Sequence, residues 1–194
     1  MKTVRVTLTF LEPLLGTAPG DKDIYAKFIA MKAADINANV DELQTCPTLE
    51  NATTGFHRDA NGAFLYDYQL KGFFKDACSM LARVKDTASS KLKAYKKVID
   101  GLLFVQPRRV YLNLSGPITT LERPLRAQTA QGERIALARS EAAPVGTTLT
   151  CELLNLGIAD ETIKEWLTYG ALRGLGQWRN SSWGRFHAVI DGEA

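Results

Sequence analysis

From Tyr169 to Phe186 the chain runs Tyr-Gly-Ala-Leu-Arg-Gly-Leu-Gly-Gln-Trp-Arg-Asn-Ser-Ser-Trp-Gly-Arg-Phe, setting glycine, arginine and tryptophan side by side. Gly174, Gly176 and Gly184 permit positive φ and close backbone approach, so main-chain N–H groups there can face an anion. Arg173, Arg179 and Arg185 supply forked donors that match phosphate, and Trp178 and Trp183 offer flat faces on which a base stacks. The spacing suggests a nucleic-acid-binding loop. It equally suits a helix C-cap followed by a turn, with both tryptophans in the core, and spacing alone leaves the two readings open.

Residues for bond-breaking chemistry are sparse. The two histidines are His57 and His187. His57 stands beside Arg58 in a candidate loop and is the one general acid/base the sequence offers, although a solitary histidine among phenylalanines is also ordinary scaffold. Asp21, Asp23, Asp35, Asp41 and Glu42 are too spread to mark a metal site, so no metal and no cofactor is expected. No Ser/His/Asp or Cys/His set has recognisable local context. Cys46, Cys78 and Cys151 are far apart and odd in number, which gives neither a disulfide framework nor zinc spacing and points to a reducing compartment.

The 194 residues, 45% of them hydrophobic, suffice for one core, and the net charge of +3 permits an anionic partner without demanding one. Distribution says more: cations before Pro107 are nearly all lysine and those after it nearly all arginine, with Lys164 the exception. Arginine is the residue of bidentate phosphate contact, so the C-terminal half is where RNA or DNA would bind. Lineage bias in codon use produces the same asymmetry. Met1 to Arg5 lead straight into an alternating strand, no apolar run is long enough to span a bilayer, and a cytoplasmic chain without membrane contact is expected.

These groups need elements to hold them. Val4, Val6, Leu8 and Phe10 alternate with polar residues as a half-buried strand, followed by a Gly/Pro loop from Gly16 to Gly20. Ile24, Phe28 and Met31 recur at helical spacing from Asp21 to about Ala34, and residues 35–54 read as a surface insertion. Asn61-Gly62 marks a hairpin between Phe56-His57-Arg58 and Phe64-Leu65. A helix capped by Asp67 follows, burying Leu70, Phe73, Phe74, Ala77, Met80 and Leu81. Lys71 and Gly72 in its first turn are unfavourable choices that suggest an anionic or bulky visitor. Ser89-Ser90 open a basic helix whose lysines more often mark a solvated face than a site. Leu102–Val105 and Val110–Leu114 read as strands, residues 121–141 as an arginine-rich hairpin carrying Arg123, Arg126 and Arg134, and Thr148–Leu154 as another strand. Asp160-Glu161 open a helix with Ile163, Trp166 and Leu167 inward, and Phe186–Ile190 close as a strand. Strands and helices mixed without strict alternation predict a single α+β domain: a modified ferredoxin-like antiparallel sheet with helices and inserted hairpins.

Three stretches then fall in a familiar order. Leu65 to Ala77, with Lys71-Gly72, resembles a segment in which a strand end leads to a Lys-Gly pair at a helix start. Ala138 to Thr147 resembles a hairpin-to-strand segment ending in Pro-x-Gly-Thr. Gly174 to Arg185 resembles a C-terminal glycine-rich loop. Together they resemble the RAMP superfamily, ferredoxin-like proteins that build the RNA-binding backbone of CRISPR effector complexes in antiviral defence. The resemblance implies an RNA-recognition-like fold that holds guide RNA by its backbone and packs against copies of itself or related subunits.

Read with that resemblance, the candidate RNA-binding residues are Lys71, Arg123, Arg126, Arg134, Arg173, Gly174, Gly176, Trp178, Arg179, Asn180, Ser181 and Arg185. The loop after the first strand lacks a clear Gly-Asp cleavage motif, and no aspartate lies about ten residues before His57, where target-cleaving members keep one. The first reading is therefore a non-catalytic protein binding single-stranded RNA. The second is a RAMP-type RNA-processing endonuclease using His57, and the third an interaction protein that mimics an effector subunit without binding RNA.

Overall fold

The computed structural model describes residues 1–20, 53–129 and 132–191. The expected helix at Asp21–Ala34 and most of the 35–54 insertion lie outside those residues; Thr53 and Thr54 belong to a short strand. The strands in order are β1 (Lys2–Phe10), β2 (Leu14–Leu15), β3 (Ala18–Pro19), β4 (Thr53–Gly55), β5 (His57–Asp59), β6 (Gly62–Tyr66), β7 (Leu103–Gln106), β8 (Arg109–Asn113), β9 (Thr119–Thr129), β10 (Gly132–Ala143), β11 (Thr148–Asn155) and β12 (Phe186–Ile190). Three α-helices are described: α1 (Asp67–Leu81), α2 (Tyr95–Leu102) and α3 (Asp160–Arg173).

Seven strands form one antiparallel sheet in the order β12-β1-β11-β8-β6-β5, with β7 also on β11. At its centre β1 runs against β11 from Lys2↔Asn155 to Thr9↔Thr148. Alternation decides the faces: Val6, Leu8 and Phe10 of β1 and Leu149, Cys151 and Leu153 of β11 are buried under α1 and α3, and the threonines between them face the other way. A second sheet, β2-β10-β4-β3 with β9 on β10, carries the long hairpin and includes a short parallel pairing of β10 with β4. This is the ferredoxin-like α+β architecture that the mixed element order predicts.

Both long helices form as their patterns require. Helix α1 buries Leu70, Phe73, Phe74, Ala77 and Cys78, while Met80 and Leu81 are only half-buried. Its N-cap is Tyr66 rather than Asp67: the Tyr66 N–H donates to Gln69 Oε1 (2.7 Å), and Asp67 is the first helical residue. Helix α3 starts on Asp160 and Glu161, acidic groups at its positive end, and buries Ile163, Trp166, Leu167 and Gly170. A Cβ on Gly170 would fall 2.2 Å from the Phe186 ring, so α3 sits close on β12.

One expected element breaks in two. Ser89–Lys91 forms a 3₁₀ turn, Ala94 takes left-handed φ of 50°, and α2 begins only at Tyr95. The reason is tertiary. Ser89 is fully buried, donates to Glu165 Oε1 and accepts from Trp166 Nε1 (2.9 Å), while the Ala88 N–H also binds Glu165 (2.7 Å). Docking this corner on α3 outweighs helix propensity. Among the described residues no helix is long and apolar enough to cross a membrane.

Candidate nucleic-acid interface

Helix α3 ends at Gly174 (φ 79°), and the chain doubles back on itself before entering β12. A Cβ on Gly184 (φ 68°) would lie 1.9 Å from the Leu175 carbonyl oxygen, and one on Gly176 (φ 84°) 2.6 Å from that of Leu15. The glycines are thus required by the loop's packing on itself and on β2. Their amides are largely committed: Gly174 N–H donates to Gly170, Leu175 N–H to Gly184, and Gly184 N–H to Pro13. Main-chain capture of an anion by Gly174 or Gly184 is not what this backbone offers.

The outer arc of the same loop is different. Trp178 adopts left-handed φ of 51° and is half-buried, and a 3₁₀ turn over Arg179–Ser181 follows it. Trp183 is also half-buried, with an enclosed Nε1 that has no hydrogen-bond partner among the described residues. The tryptophan of the core is Trp166, fully buried against Phe74.

Around that arc lies an open cleft of about 630 Å³ lined by Arg123, Pro124, Arg173, Gly176, Gln177, Trp178, Arg179, Asn180 and Ser181. Seven expected residues, Arg123 from β9 and six from the loop, are therefore brought together across a long stretch of sequence. Arg173 Nε and Arg179 donate to one oxygen of Asp76 on α1 (2.9 and 3.0 Å), and Arg173 also donates to Asn180. Arg123 is exposed and has no ion-pair partner among the described residues. Three guanidiniums against one carboxylate leave the cleft a surplus of two positive charges. Asp76 was not foreseen, because nothing in its local sequence says that it faces two arginines about 100 residues away; Gln177, whose side chain accepts from Thr54, and Pro124 are the other cleft residues missed.

Other expected residues lie elsewhere. Lys71 occupies the second turn of α1, donates to the Asp100 carbonyl (2.9 Å) and rests over the Phe104 ring (4.6 Å). Burial holds its ammonium below the usual lysine range, against the opposing pull of Asp100. Its placement beside a helix start thus has an internal explanation. Arg185 is outside the cleft and donates to Glu12 (2.7 Å). Arg126 and Arg134 occupy ladder positions opposite Ile135 and Ala127 in the β9–β10 hairpin, and their side chains lie outside the described residues.

His57 is enclosed by the β5–β6 hairpin, stacked near Phe64 (5.9 Å) and edge-on to Tyr66 (4.8 Å), with only 2% of its surface exposed. His187 is exposed on β12. The acidic residues from Asp21 to Glu42 fall outside the described residues. Cys78 and Cys151 are free and buried, and burial pushes the Cys151 thiol up to about 12.

No protein-family model matches the sequence, and no curated protein is similar to it. Solved structures are similar in fold. A chain of the cryo-EM structure of the type III-B Cmr-beta complex bound to cognate target RNA superimposes with a TM-score of 0.53 over 98% of this chain, at 11% identity. The present chain spans 60% of that chain's length. A chain of a type IV-B CRISPR complex aligns over all of this chain and 92% of its own length, with a TM-score of 0.48 and 13% identity. The fold is thus shared with a chain of the Cmr-beta structure.

Proposed function

We propose that the chain is a non-catalytic RAMP-like protein that binds single-stranded RNA, a guide RNA in a CRISPR effector assembly or a relative of one, by its phosphate backbone in the Arg123–Arg173–Arg179 cleft. The observation that carries this reading is the charge surplus. Two arginines share one carboxylate and the third has none among the described residues, an imbalance that a phosphate would complete. Trp178 stands on the same cleft wall, where a base could stack. The similar Cmr-beta structure is RNA-bound, which supports the ligand class. For cleavage, His57 would have to leave an aromatic enclosure to reach a 2′-hydroxyl, and this favours the non-catalytic reading.

The test is a salt series of fluorescence anisotropy with labelled single-stranded RNA. Each phosphate engaged contributes about 0.7 to the slope of log K against log salt, so four contacts give a slope of roughly −3. Arg123→Ala is expected to weaken binding and to reduce the slope by about 0.7 without moving the thermal midpoint. A flat salt response, or an Arg123 variant that binds like the parent, removes the cleft from the RNA path. The same RNA is expected to stay intact with and without magnesium, and cleavage abolished by His57→Ala would establish the nuclease reading instead.

A further inference from the structure

Among the described residues strand β12 is an edge of the seven-stranded sheet, paired on one side only, with β1. The Asp191 N–H donates to the Arg5 carbonyl (3.0 Å), and the Arg185 carbonyl accepts from the Leu11 N–H (2.8 Å). Backbone groups alternate sides along an antiparallel strand, so odd-numbered residues here point to β1 and Phe186, Ala188 and Ile190 point outward. Among the described residues nothing pairs with those outward groups. Protected edges carry lysine, proline or a bulge; this one reads Phe-His-Ala-Val-Ile, with no charge and no proline. Beside it runs a groove of about 370 Å³, walled by the strand and by Lys164, Leu167, Thr168 and Ala171 of α3.

We propose that β12 is the seam of a two-fold dimer, pairing antiparallel with β12 of a second copy of this chain, Ala188 against Ala188. This register alone uses all three outward residues, setting Phe186 against Ile190 on either side of the central pair. It also sets Arg185, whose guanidinium holds Glu12 of its own copy through one nitrogen, opposite Asp191 at both ends, an attraction of unlike charges; Asp191 has no ion-pair partner among the described residues. A shift of two residues either way leaves one outward residue unpaired and faces Arg185 with Val189, or Asp191 with His187. The small side chain at residue 188 admits close approach on the axis. The seam joins two seven-stranded sheets into one and removes the open edge. It lies apart from the cleft and does not rest on the RNA reading.

Multi-angle light scattering and sedimentation of the full, RNA-free chain, over about a hundred-fold concentration range, test the proposal. The mass is expected to climb from 21.4 kDa to twice that value. Ala188→Pro removes an outward N–H and leaves the β1 ladder intact, so it is expected to give a monomer with an unchanged circular dichroism spectrum. Asp191→Arg places like charges at both ends and is expected to raise the dissociation constant at least about tenfold. In a Cys46→Ser background, Ala188→Cys is expected to cross-link two copies on mild oxidation, because facing Cα atoms of a hydrogen-bonded pair lie about 5.5 Å apart, within disulfide range. A chain that stays monomeric throughout, a dimer indifferent to Asp191→Arg and Ala188→Pro, or no cross-link through position 188 overturns it.

Discussion

The β5–β6 hairpin and the α3–β12 loop are built from the same residue types, and they differ in how the charges close. At the hairpin each arginine has its own carboxylate: Arg58 binds Glu141 (2.7 Å) and Arg109 binds Asp59 (2.7 Å), with Tyr111 donating to the same aspartate and His57 sealed among aromatic rings. At the loop Arg173 and Arg179 divide one aspartate while Arg185 keeps Glu12 to itself (2.7 Å), Arg123 arriving from β9 has no ion-pair partner among the described residues, and the Trp178 ring beside them is only half-buried. A closed account of charge makes scaffold; an open one leaves something for a ligand to complete. Arginine next to an aromatic residue therefore marks neither by itself.

The largest expected effect separates the tryptophans. Trp166→Ala should cost about 3–5 kcal/mol of folding stability, being fully buried and hydrogen-bonded to Ser89. Trp178→Ala should leave the thermal midpoint close to the parent's and cost roughly 1–3 kcal/mol of RNA binding, with the salt slope unchanged. If both variants unfold alike, the outer arc of the loop is core and the contrast between the two regions fails.

A smaller effect comes from Asp76→Asn, which removes the counter-charge that Arg173 and Arg179 share. RNA binding should tighten at low salt and the slope should steepen by up to about 0.7, the weight of one further phosphate contact. Weaker binding with an unchanged slope would mean that Asp76 acts by positioning the two guanidiniums. Anisotropy at several salt concentrations, beside thermal unfolding, distinguishes the outcomes.

The smallest effect belongs to the closed region. The Tyr111 hydroxyl, ahead of the Asn61 amide and Arg109, holds the Asp59 carboxyl below the ordinary carboxylate range. A depressed folded pKa contributes stability that is present above the unfolded value and is lost as pH falls through the folded one. Tyr111→Phe should raise the Asp59 pKa in a carboxyl NMR titration, so that this contribution shrinks and is fully lost at a higher pH on acidification. An unmoved Asp59 would show that Arg109 alone sets its charge.

Much of this architecture was legible where physics is local. Val4, Val6, Leu8 and Phe10 alternate because one face of β1 is buried, Asn61-Gly62 turns the hairpin, and acidic Asp160 and Glu161 open α3. Legibility ended where distant segments decide the outcome. Ser89 reads as a helix start, yet a buried bond to Glu165 holds it in a tight corner. The three glycines of the loop read as room for a phosphate, and they turn out to make room for Leu175, Trp183 and Leu15. The cleft itself depends on Asp76 arriving from α1 and Arg123 from β9, a meeting no local pattern encodes.

Leu14 and Leu15 pair with Ala143 and Ala142 at the root of the long hairpin, and the same two residues abut Gly176 on the cleft wall. Strand β10 has 12 residues, so its far end stands about 36 Å from that root at about 3.3 Å per residue. Mechanically this is a long arm on a short pivot, and the pivot is also part of the cleft's foundation. A partner that gripped the arm near its tip would apply a torque there that is felt at Gly176 and, through β9, at Arg123, so the width of the charged cleft is coupled by leverage to whatever holds the hairpin.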